Sequence, residues 1–180
     1  MSGSYAIFAE YAKDANKLMK SGLNRRVFNV AEAQGGSGIA LNPDGSFTLE
    51  PGAYRMTGMS IVTMQTTFAP PATHYNTNYP GYCALYPAAL EADSSLMKHL
   101  IGVGTPQTAL DTTPSFFDVF YTTTERVNLA VGHQSGADLH DEVYLSVYEV
   151  AGTKSDLHVF ARIAITRLSG ATGPGSGGAR

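Results

Sequence analysis

Tryptophan is absent from this 180-residue chain, cysteine occurs once, and only 15% of the residues are charged. Each shortage excludes something. Cys83 alone cannot build an internal disulfide framework. Lys and Arg together number 12, the net charge is −3, and no basic cluster exceeds Arg25-Arg26. That is not the electrostatic footprint of a nucleic-acid binder. No apolar run approaches the roughly 18 residues that cross a bilayer, so no membrane insertion is expected. The N-terminus MSGSYAIFAEYAK has no basic segment followed by an apolar one, so no signal peptide is expected either. Reactive signatures are missing as well. There is no G-x-S-x-G elbow, no P-loop, and no dinucleotide fingerprint between a strand and a helix, so neither an enzyme nor a cofactor is expected.

What is present is glycine (19 residues), tyrosine (10) and phenylalanine (8), in a chain that is 43% apolar. Many glycines and aromatics with few charges read as short strands joined by tight turns. A surface so poor in charge also suggests that partner subunits cover part of it. One domain is expected, over residues 1–168, with 169–180 as a flexible Gly-rich tail.

The element pattern points the same way. YAIFAEY at 5–11 alternates as a first strand, and residues 12–26 read as a loop with at most one helical turn. RVFNVA at 26–31 is a strand, and GGSG at 35–38 a turn. Two short strands, 38–41 and 46–49, flank Asn42-Pro43-Asp44-Gly45, which carries turn chemistry at every position. Pro51-Gly52 suits the centre of a type II turn, because Pro fixes φ and Gly accepts positive φ. Residues 53–68 then read as the longest strand, with Tyr54, Met56, Gly58, Ser60, Val62 and Met64 on one face. Further on, 83–86 and 100–107 read as strands, with a turn of helix over 88–96 and a turn at 111–114 between elements. Four strong strands close the chain at 116–123, 127–133, 143–150 and 157–168. In the last, Leu157, Val159, Ala161, Ile163 and Ile165 form an unbroken inner face. The expectation is an all-β antiparallel sandwich of about ten strands.

Three stretches carry a family resemblance: Ile7 to Tyr11, FTLEPGAYR at 47–55, and the closing pair DEVYLSVYEV with HVFARIAITRL. Together they resemble the trimeric jelly-roll superfamily of the complement globular head and tumour necrosis factor. More narrowly, the chain is similar to the small versions found in bacteriophage tail fibres and capsid decorations. The resemblance implies a homotrimer packed around a three-fold axis. It further implies a non-enzymatic virion or adhesion role, a phage capsid or tail protein as partner, and assembly in the host cytoplasm. A trimeric lectin bound to host cell-surface glycan is the alternative, and a cupin-like metalloenzyme a more distant one.

Candidate sites are few. His74, Tyr75, Asn76, Asn78, Tyr79 and Tyr82 form a Tyr/Asn/Pro-rich surface loop. Tyr supplies contact area at little entropic cost and Asn supplies adaptable hydrogen bonds, which suits ligand binding. The more ordinary reading is a loop that clasps the sandwich or a neighbour. Asp138, Asp141 and Glu142, beside His140, can bind Ca²⁺ through carboxylates, as some relatives of this fold do, or form a solvated acidic turn. Five histidines lack the His-x-His pair of a cupin and read as surface or interface residues. Cys83 reads as a small buried hydrophobe.

Overall fold

The computed structural model describes residues 3–12, 17–18, 22–61, 63–64, 81–106, 114–134, 143–145 and 158–170. Fourteen strands are described: β1 (Tyr5–Ala12), β2 (Lys17–Leu18), β3 (Leu23–Arg25), β4 (Val30–Gly35), β5 (Ile39–Leu41), β6 (Phe47–Leu49) and β7 (Gly52–Ser60), followed by β8 (Thr63–Met64), β9 (Tyr82–Pro87), β10 (Gly102–Val103), β11 (Ser115–Thr123), β12 (Val127–Gln134), β13 (Val143–Leu145) and β14 (His158–Gly170). They build an antiparallel sandwich. One sheet runs β11-β7-β14-β1-β4, and the other runs β10-β9-β12-β6-β5 with β3 also paired to β12. A third, small sheet has the order β2-β13-β8.

Alternation decides what lies between the two large sheets. Tyr54, Met56 and Ser60 from β7, Ala161, Ile163 and Ile165 from β14, and Ala6 and Phe8 from β1 are buried; so are Phe47, Leu49, Leu85, Leu129 and Val131 from the facing sheet. The expected inner face of the closing strand holds at Ala161, Ile163 and Ile165. The side chains of Leu157 and Val159 lie outside the described residues, as do positions 65–80, 107–113, 135–142, 146–157 and 171–180.

Several sequence expectations need correction. Residues 26–29 are not a strand but a crossover between the sheets. Arg26 N donates to Val131 O (2.9 Å) in one sheet, and Asn29 N donates to Ala9 O (3.0 Å) in the other. The strand starts only at Val30. Upstream, Leu23–Arg25 is a strand rather than loop, because it pairs with Gly132–Gln134 of β12. Pro51-Gly52 is not a type II turn: positive φ among the described residues belongs to Gly22, Gly36, Gly38 and Gly45. Gly52 is already the first rung of β7, opposite Thr123 and Gly170.

The 53–68 run is interrupted after Ser60, and Thr63–Met64 join the small sheet instead. The longest described strand is β14, with 13 residues, and it runs past the expected boundary at 168. Among the described residues of 100–107, only Gly102–Val103 is a strand, since Thr105 turns aside and its N–H donates to Phe116 O (2.9 Å). The helical turn near 88–96 is a pair of short 3-10 turns, Ala88–Leu90 and Leu96–Lys98.

Candidate functional site

Of the proposed loop ligands, His74, Tyr75, Asn76, Asn78 and Tyr79 lie outside the described residues, and so do Asp138, His140, Asp141 and Glu142. Tyr82 is described. It opens β9 as a half-buried rung opposite Gln134, and burial raises its phenol pKa. Cys83 is fully buried, as expected. Its N–H donates to Ser115 Oγ (2.9 Å) and its thiol donates to Ser115 O (3.3 Å). Burial pushes the thiol pKa up, which is the opposite of what a nucleophile needs. Among the described residues no three His, Cys, Asp or Glu side chains gather closely enough to hold a metal ion.

Two features stand out instead. The first is the outward face of the five-stranded sheet. Strand register sets its side chains in rows: Phe120–Arg55–Thr166–Tyr5, then Asp118–Thr57–Ala164–Ile7, then Phe116–Met59–Arg162–Ala9. Phe120 is 72% exposed, Phe116 and Tyr5 are 47%, and Leu168 is 53%. The middle row carries no aromatic side chain.

The charges on this face are matched within the chain. Arg55 grips Asp118 with two hydrogen bonds (3.1 and 2.7 Å) while its guanidinium lies over the Phe120 ring, 5.7 Å from the centroid. Arg162 pairs with Glu32, which also accepts from the Tyr11 hydroxyl. The Arg55 hydrogen bond lowers the Asp118 pKa, so the carboxylate stays ionised. Exposed aromatic and Arg side chains flanking an internally paired Asp118 match the composition of protein interfaces.

The second feature is polar and dry. Arg26 and His133 are 0% exposed, Ser60 is 0%, and Glu10 is 5%. Arg26 Nε donates to Ser60 Oγ (2.7 Å), Nη2 donates to Ile61 O, and Nη1 lies 3.6 Å from Glu10 Oε2. His133 Nδ1 is 2.9 Å from the same Ser60 Oγ. Burial pulls Arg26 down to about 10, opposed by Glu10, so it remains cationic at neutral pH.

Sequence reasoning missed this cluster and read His133 as a surface or interface residue. The signal was parity. Glu10 shares a face with Ala6 and Phe8, Ser60 with Tyr54 and Met56, and His133 with Leu129 and Val131. Each strand thus carries one polar residue inward at the same end of the sandwich.

No family model matches this sequence, and no curated protein matches it. Solved structures do match by shape. The crystal structure of murine APRIL at pH 8.0, a tumour-necrosis-factor-family jelly roll, superposes with a TM-score of 0.53 at 7% identity, covering 93% of this chain and 100% of that one. The fold is a tumour-necrosis-factor-like jelly roll. Murine APRIL at pH 5.0 gives a TM-score of 0.48 at 9% identity with the same coverage. At such identity the likeness concerns architecture alone.

Proposed function

We propose that this chain is a non-enzymatic structural or adhesion protein of a bacteriophage virion, in the tail or as a capsid decoration. It works as a homotrimer that packs the outward face of its five-stranded sheet around a three-fold axis. The observation that carries the reading is that face, where Phe120 is 72% exposed above an internally neutralised Arg55–Asp118 pair. A lone soluble chain gains nothing by leaving such rows in water. Covering one phenylalanine side chain is worth roughly 1.5–3 kcal/mol. Neutralising the charges in advance lowers the cost of desolvating them.

The virion assignment rests on the resemblance to small phage jelly rolls and on the charge-poor composition, 15% of residues. A capsid or tail protein is the partner it implies, with assembly in the host cytoplasm. Light scattering coupled to size exclusion tests the assembly: the expected mass is three times the 19.1 kDa chain. A stable wild-type monomer at micromolar concentration rejects it. A glycan array tests the role. Binding to a defined sugar would replace the structural reading with the lectin one, in which the Tyr/Asn loop acts at subunit boundaries.

A further inference from the structure

The buried polar cluster sits where three strands leave the sandwich. Glu10 lies at the end of β1, which leads on to β2; Ser60 ends β7, which leads on to β8; and His133 lies near the end of β12, which leads on to β13. The strands that follow are the three members of the small sheet β2-β13-β8. Thr63 is three residues beyond Ser60, so the small sheet starts within about 10 Å of the cluster. Arg26 reaches the same exit from the crossover, since its guanidinium donates to the carbonyl of Ile61, between β7 and β8.

Donor and acceptor accounting narrows the protonation pattern. Arg26 only donates, so Ser60 Oγ accepts from its Nε. The Ser60 hydroxyl proton is then free to point at His133 Nδ1, taking the tautomer in which Nδ1 accepts it and Nε2 carries the ring proton. Nε2 is buried, with no hydrogen-bond partner among the described residues. Among the described residues, the other groups around the ring offer a second proton no welcome. Cys83, its register partner on β9, is a neutral buried thiol, and Tyr82 beside it has its phenol pKa raised. From β3, Asn24 donates to the His133 carbonyl (3.3 Å). Arg26 adds a positive charge, and the carboxylate in reach, Glu10, faces Arg26.

We propose that Glu10, Arg26, Ser60 and His133 form an acid-sensitive latch, which holds the root of the small sheet closed while His133 is neutral and releases it when the imidazole gains a proton. Protonated Nδ1 becomes a donor, so it no longer accepts the Ser60 proton, and a second cation then stands beside Arg26. Opening this end to water relieves both penalties. Burial, then the Arg26 charge, holds the His133 pKa well below its ordinary value in the closed form, so the closed form binds fewer protons than the open one. Stability is therefore complete above the ordinary imidazole pKa of about 6.5 and is lost as pH falls below it. Each further pH unit favours opening about tenfold, giving roughly 30-fold at pH 5 relative to neutral pH.

Amide hydrogen exchange at pH 7 and pH 5, expressed as protection factors, tests the latch on the full chain. The expected result is a roughly 30-fold loss of protection in β8 and β13, with β6 and the centre of β14 unchanged. The variant His133→Asn keeps an acceptor near the Nδ1 position and should abolish this pH dependence. Imidazole ¹⁵N NMR on the wild-type protein covers the case of a variant that does not fold. It should find His133 neutral and protonated on Nε2 in the closed form. The latch is overturned if His133 takes up a proton near pH 6.5 with protection intact, or if β8 and β13 open no more at pH 5 than at pH 7.

Discussion

The interior of this sandwich has two ends, equally dry and differently made. Around Phe47, the rings of Phe8 and Phe28 pack at 6.2 and 6.4 Å with Leu49, Met56, Leu129 and Ile163, all of them buried. Around Ser60, the same exclusion of water encloses a guanidinium, a carboxylate and an imidazole. The apolar end depends on volume, because each side chain contributes dispersion and area and nothing that a proton can change. The polar end depends on charge balance. Buried ion pairs are poor sources of net stability and severe liabilities when broken. Their retention here fits a role in fixing where strands leave the sandwich.

The sharpest way to break that contrast is Arg26→Ala. It takes a buried cation away from the Glu10 carboxylate in a dry site and removes a donor from the Ile61 carbonyl. The expected loss is about 3–5 kcal/mol in urea unfolding at pH 7. The double variant Glu10→Gln with Arg26→Met, which removes both charges, should recover a large part of it. A single-variant loss under about 1 kcal/mol would mean that water reaches the cluster.

At the apolar end, Ile163→Ala should cost about 2–5 kcal/mol through lost transfer energy and a residual cavity. The two ends then separate by pH. The Ile163 penalty should be the same at pH 7.5 and pH 5.5, measured as the shift in denaturation midpoint, whereas wild-type stability itself falls over that interval if His133 stays neutral in the folded chain. An Ile163→Ala penalty that changes with pH would show the two ends to be one electrostatic unit.

How much of this was legible in the sequence differs between the same two ends. Phe8, Tyr54, Met56, Ile163 and Ile165 fall on inner faces by period-2 alternation alone, and the fold class followed from them. The Asn42–Gly45 turn was legible because its chemistry is local: Gly45 has φ 78°, and Asn42 and Ser46 bond across it. Arg26 was not legible, because an Arg beside Arg25 at the head of a short strand-like run gives no sign of lying inside until the crossover between sheets is known. The end of β7 was hidden likewise. Thr63 and Met64 continue the alternation, and a guanidinium from 35 residues upstream bonds the Ile61 carbonyl where the ladder stops. The split of 53–68 between two sheets is a tertiary decision. Local propensity carries no trace of it.

The smallest effect on folding belongs to the outward sheet face, and it is the most telling for assembly. Phe120 is 72% exposed and contributes little to the isolated chain, so Phe120→Ser should leave the unfolding midpoint of a dilute monomer unchanged. If copies pack on this face, the same variant loses an anchor in every copy and leaves the Arg55 guanidinium without its ring. Truncating one interface aromatic costs more than 1 kcal/mol where it is a hot spot. Three copies lose it together, so dilution should dissociate the variant at a concentration where wild type stays assembled. Met97 provides the control, being 49% exposed but on the 3-10 turn outside the other sheet. Met97→Ser should change neither folding nor assembly. Should Met97→Ser dissociate the oligomer while Phe120→Ser does not, the copies meet through the six-stranded side, and the neutralised Arg55–Asp118 row needs another explanation.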